Sequence, residues 1–305
     1  MHRRLLVSVL TSACLATLAA GCGGSAKPRP DLLFVSTRSG PYAIYAMNND
    51  GGRQRRLTRK APKTAASPED LFFQVDPAWS PDGRSIAFAS SRSGVSAIYV
   101  MNADGSGTRL LGGPPTGAVH PSWSPDGKQL VAGGANHKGL YLMDTDGSHL
   151  RRIGNDSARV ADPAWSPKGD LIAFARTEPN TPITELWVIR PDGTGLRRVT
   201  SLASTVSSPS WAPDGKRLAF AAPVRGQYEI YKTNLDGSGL KRLTASAAED
   251  IDPAWSPDGK VIAFSRDGAI ETVDLAFAVH ALTNGKQNDS SPAWKPGAAS
   301  TPPSG

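Results

Sequence analysis

Short apolar runs recur along this chain, and each is closed by the same turn chemistry. Ser85-Ile86-Ala87-Phe88-Ala89, Ala97-Ile98-Tyr99-Val100-Met101 and Thr108-Arg109-Leu110-Leu111 are separated only by Ser91-Arg92-Ser93-Gly94 and Asn102-Ala103-Asp104-Gly105. Runs this short, bounded by Gly, Asn, Asp and Ser, predict strands joined by tight hairpins. Ahead of them stands Trp79-Ser80-Pro81-Asp82-Gly83, where Pro presets φ at the second turn position and Gly takes the left-handed one. The segment therefore predicts four strands and three turns, one antiparallel unit.

The unit repeats. Trp79, Trp123, Trp165, Trp211, Trp255 and Trp294 each sit two residues after one proline and two before another, at spacings of 44, 42, 46, 44 and 39. The turn pairs recur at Ser124-Pro125-Asp126-Gly127 with Asp146-Gly147, Ser166-Pro167-Lys168-Gly169 with Asp192-Gly193, and Ala212-Pro213-Asp214-Gly215 with Asp236-Gly237. A further copy starts at Ser256-Pro257-Asp258-Gly259, but no Gly follows Asp274 in its last hairpin, which is the least regular. A period in the forties, with units too short to bury a core alone, predicts blades around an axis. Residues 31–58 carry the last three strands of a unit and Ser291–Pro296 supply only the first. Pairing them would satisfy both sheet edges. The expected fold is all-β: a six-bladed β-propeller of four-stranded blades over residues 31–296, closed by the C-terminal strand joining the N-terminal blade.

Met1-His2-Arg3-Arg4 and the 16-residue apolar run Leu5 to Ala20 read as a secretory signal, too short to span a bilayer. Gly21-Cys22 is similar to the bacterial lipoprotein cleavage box, which implies removal of residues 1–21 and lipidation of Cys22. The alternative is cleavage near Ala20 with a free Cys22. Cys14 leaves with the signal, so no disulfide is expected. Residues 22–30 form a Gly- and Pro-rich linker reaching at most about 25 Å, and residues 297–305 a disordered tail. The expected product is exported and lipid-anchored, facing the periplasm or another extracytoplasmic space.

The blade grammar, Asp76-Pro77-Ala78-Trp79-Ser80-Pro81-Asp82-Gly83 through Asn102-Ala103-Asp104-Gly105, with its second clear copy at Asp252 to Phe264 and Arg55-Arg56-Leu57-Thr58 closing a unit, resembles the TolB-like propeller family. That family takes its name from the periplasmic component of the Tol-Pal envelope system. The resemblance covers residues 31–296 and implies the propeller fold and a protein-interaction role in the cell envelope.

In such a blade the first and third turns lie on one face, built here from near-identical Ser-Pro-Asp-Gly and Asp-Gly sequences. Variety collects on the other: the Arg59 to Val75 connection with Leu71, Phe72 and Phe73, the turn Arg176 to Pro182, His137-Lys138, and Val224 to Gln227. Function is expected there, on loops carried by a rigid scaffold. The residues before each Pro-x-Trp, namely Asp76, His120, Asp162, Ser208, Asp252 and Ser291, should ring the channel mouth, with Arg38, Arg92, Arg176, Arg225 and Arg266 near them. These residues could receive a partner peptide or small ligand, or the Asp and Arg side chains could simply tie blades together. Phe72 and Phe73 are open to the same two readings.

Asp144-Thr145-Asp146-Gly147 starts like a calcium loop but lacks the later ligands, so a hairpin is expected and no metal or cofactor. His120, His137, His149 and His280 are expected on four different blades without metal-ligand spacing, and there is no Gly-x-Ser-x-Gly elbow. The net charge of +7 includes Arg3 and Arg4; without them 32 basic residues face 27 acidic ones. Much of the excess lies on the fourth strands, at Arg53, Arg55, Arg56, Arg109, Arg151, Arg152, Arg197, Arg198, Lys241 and Arg242, where charge discourages edge-to-edge association or attracts anionic lipid. Nucleic acid is not an expected partner of an exported chain. The expectation is a monomeric, non-catalytic scaffold for an envelope protein or peptide. A wall-polymer binder and a lyase or glycosidase at the channel mouth stay open beside it.

Overall fold

A computed structural model describes residues 31–58, 73–154 and 158–298, and in it 24 strands form six four-stranded antiparallel sheets. The inner strands, blades 1 to 6, are Ser290–Trp294, Gln74–Trp79, Ala118–Trp123, Val160–Trp165, Ser207–Trp211 and Asp250–Trp255. The second strands are Leu32–Ser36, Ser85–Ser90, Gln129–Gly134, Ile172–Thr177, Arg217–Val224 and Val261–Arg266. Blade 1 is the composite one: Leu32 pairs with Trp294, Leu33 with Ala293 and Val35 with Ser290. Lys295 N–H donates to Asp31 O at 2.7 Å and extends the seam.

Second strands carry continuous apolar runs because both of their faces are covered. In Leu32–Ser36 every residue is buried; Leu32 and Phe34 join a cluster with blade 6, whereas Leu33 joins one with blade 2. Six such clusters fill the six interfaces between blades, each built from two neighbouring sheets. Burying one Phe or Ile side chain is worth about 1.5–3 kcal/mol. A blade detached from either neighbour loses half of that cover.

The turns on the repetitive face also bind blade to blade. Ser80, Ser124 and Ser256 hydroxyls donate to Asp82, Asp126 and Asp258 within 2.6–2.7 Å. In blade 4 Lys168 occupies the Asp position, and Ser166 bonds Asp170 instead at 2.8 Å. Outer-strand arginines reach across to the next blade's third turn: Arg109 to Thr145 O at 2.7 Å, Arg151 to Pro191 O at 3.0 Å and Arg197 to Leu235 O at 2.8 Å. Part of the edge charge is thus an inter-blade tie. The irregular hairpin of blade 6 forms too, with Thr272 opposite His280. Asp274 accepts the amides of Ala276 and Ala278, and Phe277 takes the left-handed position at φ 73° that Gly fills elsewhere.

Gly105 shows why the third turns need glycine twice over. Its φ is 91°, and a Cβ there would collide with the Leu57 carbonyl of the preceding blade. Gly94 has nearly the same φ, 94°, but nothing within 4 Å. Gly94→Ala should therefore cost about 1 kcal/mol and Gly105→Ala more than about 2 kcal/mol, read as urea midpoints. Equal losses would mean that the close approach contributes nothing.

Candidate functional site

Each inner strand loses register with its partner at one place. In blade 2 the shift falls between Val75 and Ala78, and the same interruption recurs in the other five blades. The residue at each interruption is left-handed: Asp76 φ 55°, His120 52°, Asp162 53°, Ser208 52°, Asp252 54° and Ser291 50°. A side-chain-bearing residue held there costs about 1–2 kcal/mol, least for Asp, Asn and His. Six bulges at one level turn six side chains toward the axis. With the six prolines that follow them they line a well of about 180 Å³.

The ring alternates Asp-His-Asp-Ser-Asp-Ser around the axis, so every carboxylate stands between two possible donors. The amides of His120 and Ser208 donate to Asp76 at 3.2 Å and Asp162 at 2.9 Å. The hydroxyls of Ser208 and Ser291 donate to the two oxygens of Asp252 at 3.2 and 3.4 Å. His120 Nε2 lies 3.6 Å from Asp76 and 3.5 Å from Asp162. Burial disfavours the charged imidazole, but Asp76, Asp162 and Asp252 together outweigh it and raise the His120 pKa. Burial, then repulsion from Asp162 and Asp76, raises the pKa of Asp252 against the opposing pull of His120 and Ser208. The well is thus a strained, electronegative site with one titratable cation, His120.

The five middle-turn arginines are expected near the ring. None of them lines the well. Arg38, Arg92, Arg176 and Arg266 cover the aromatic rings of Phe34 and Tyr45, Phe88 and Tyr99, Trp187, and Phe264, at 4.5–5.5 Å. Such stacking places their guanidinium groups over rings of the second and third strands. Arg38 and Arg266 make bidentate pairs with Asp289 and Asp250, each two residues before a ring position. Arg225 is exposed on the middle turn of blade 5. Phe73 is half-buried, its amide donating to Ser91 Oγ at 3.2 Å, whereas Phe72 and Cys22 lie outside the described residues. His137, Arg159, Thr181 and Asp162 border a recess of about 410 Å³ beside the mouth.

His120, His137 and His149 all stand on blade 3, against the expectation of separate blades, on its inner strand and its middle and third turns. Among the described residues no group of three or more His, Cys, Asp or Glu is arranged to hold a metal ion, and Asp144–Gly147 is a hairpin turn closed by Gly147 N–H to Asp144 O at 2.9 Å. The pairings with Asp250 and Asp289 were missed from the sequence. Their signal was the spacing Asp250-Ile251-Asp252-Pro253, a second carboxylate on the same strand two residues outward from the ring.

Two outcomes test this description. Arg38→Ala would strand the fully buried Asp289 and should destabilise the protein by about 3 kcal/mol, while Arg225→Ala stays within about 0.5 kcal/mol; similar values in denaturant melts would contradict the assignment. The folded pKa of His120 lies above that of a free imidazole, about 6.5. Its contribution is therefore complete below that value and is lost as pH rises through the folded pKa. Urea midpoints of the wild type and His120→Asn should separate at pH 6 and converge as pH rises through the folded pKa; divergence toward high pH would contradict it.

Comparison with known proteins places this geometry. Residues 72–182 and 131–272 match the family model described as TolB beta propeller domain. A segment of 68 residues, 21% of this chain, is 34% identical to the Tol-Pal system protein TolB of Thioalkalivibrio sulfidiphilus (strain HL-EbGR7) and spans 16% of that relative. The structure of TolB from Acinetobacter baumannii superposes with a TM-score of 0.73 over 88% of this chain and 67% of its own, at 20% identity. The putative TolB from Agrobacterium tumefaciens gives 0.63 over 84% and 88%, at 21% identity. The same fold at 11% identity is found in a nidogen/laminin complex, with a TM-score of 0.69 over 88% of this chain and 98% of that one. At these identities the structures speak for the fold alone, but the family model spans well over half of the chain: it belongs to the TolB beta propeller domain family.

Proposed function

We propose that this chain is a non-catalytic, lipid-anchored scaffold of the cell envelope whose channel mouth receives an extended segment of a partner protein. The observation that carries the reading is the ring itself. Six left-handed residues, three of them carboxylates, are held around a well of about 180 Å³. Backbone strain and like charges gathered at one half-buried place are features that stability alone does not favour. The well is smaller than the 300–1,000 Å³ typical of small-molecule sites and suits the tip of one side chain. Membership of the family and the likeness to a protein named for the Tol-Pal system support an envelope partner.

Anchoring rests on Gly21-Cys22 behind the apolar run Leu5 to Ala20. Cys22→Ser should move the protein from the membrane fraction to the aqueous one; an unchanged distribution would remove the anchor from the account. The mouth is tested by in-cell crosslinking from cysteines introduced at His120 and, on the opposite face, at Asp104. A discrete adduct from position 120, mapped by mass spectrometry to an extended segment of an exported protein, is expected. Adducts only from position 104, or none from either, would contradict the reading.

A further inference from the structure

A larger cavity lies beside the well. It is an open recess of about 550 Å³ between blades 5, 6 and 1, on the face of the middle turns and connections, and its walls include Tyr42, Glu249, Ile251, Asp267 and Ser290. Ile251 and Ser290 are chain neighbours of the ring residues Asp252 and Ser291, so well and cavity share a rim. Its volume falls in the range of pockets that enclose a whole ligand group, about 300–1,000 Å³.

The charge of this cavity is one-sided. Asp289, in its wall, is neutralised by Arg38 at 2.7 Å, and Arg266 is shared between Asp250 at 2.6 Å and Glu271 at 2.7 Å. Glu249 and Asp267 are exposed, and neither has a cationic partner among the described residues. The uncompensated field is felt nearby: burial and then Glu249 raise the pKa of Tyr228. Tyr42 adds an aromatic wall and is 46% exposed. Two free carboxylates and an open phenol ring in one recess are the complement of a guanidinium, which offers five donors in a plane and stacks on aromatic faces. A carboxylate entering there would meet repulsion from both Glu249 and Asp267.

We infer that this cavity takes an arginine side chain of the partner, held between Glu249 and Asp267 against Tyr42, and that the segment crossing the channel mouth is therefore basic. The inference rests on the reading of the mouth as a peptide seat and adds to it the chemistry of the peptide. Lysine can make one of the two carboxylate contacts at a time and is the weaker occupant.

The test titrates the full mature chain in detergent with three capped peptides, Gly-Ser-Arg-Ser-Gly-Arg-Ser-Gly and its lysine and glutamate counterparts. Calorimetry measures affinity and amide NMR locates the site. The arginine peptide should bind best, lose affinity with salt and shift the signals of Tyr42 and Gly268. Glu249→Gln with Asp267→Asn should weaken it by about tenfold without lowering the melting temperature, since both side chains are exposed. Asp236→Asn on the opposite face should change nothing. Failure of the arginine peptide to bind, equal binding by the double variant, or equal binding of the glutamate peptide would overturn the inference. If any of these occurs while crosslinks from position 120 persist, only the basic character of the segment falls. Loss of those crosslinks as well would remove the seat itself.

Discussion

Every sheet in this molecule is apolar on both faces, and that constraint governs the rest. Leu32 and Leu33 are adjacent in sequence and pack against opposite neighbours, blades 6 and 2. Such a sheet is satisfied only between two others, so the row of blades must close. Closure is achieved by lending blade 1 its inner strand from the far end of the chain. It also brings six inner strands to one axis, where Trp123, Trp211 and Trp294 indoles donate to the Ala78, Ala164 and Ala254 carbonyls of the preceding blade within 2.9–3.1 Å. Where serine replaces that alanine, at Ser122 and Ser210, its hydroxyl accepts the next tryptophan's amide instead. These bonds stitch five of the six inner joints; at the sixth, after Ala293, the buried Trp79 indole N–H makes no hydrogen bond.

Convergence at the axis has an energetic consequence. The bulges that turn Asp76, His120, Asp162, Ser208, Asp252 and Ser291 inward place them in a backbone region costing about 1–2 kcal/mol apiece. The burial between blades is larger and holds them there: Phe34, Phe88, Phe220 and Phe264 are fully buried, each worth about 1.5–3 kcal/mol. Mutual hydrogen bonds offset part of the charge repulsion, with serine and histidine set between the carboxylates. The mouth is therefore an electronegative ring whose strain is carried by the core, and the proposed partner would meet it without reorganising it.

Architecture was legible in the sequence because its signals are local. A hairpin such as Asn102 to Gly105 declares itself in four residues, and Pro-x-Trp marks each inner strand. The ring residues could be named for the same reason: they precede that motif. What depends on side-chain packing was not legible. The arginines of the middle turns were expected near the mouth, yet none lines the well: aromatic faces and the carboxylates of Asp250 and Asp289 engage them. The cavity between Tyr42, Glu249 and Asp267 joins residues from opposite ends of the sequence, and no spacing announces it. Blade 6 shows the converse case: Asp274 supplies the turn's hydrogen bonds, so Phe277 can stand where the repeat calls for glycine.

The central claim is that the axial carboxylates are kept for a partner and not for the fold. Replacing Asp76, Asp162 and Asp252 together by asparagine preserves side-chain shape and left-handed tolerance while removing the charge. Unfolding free energy and crosslinking from the mouth should then be measured on the same preparation. The account predicts a propeller at least as stable as the parent that no longer yields the adduct. A chain that loses its cooperative unfolding transition, or one that retains the adduct undiminished, would contradict it.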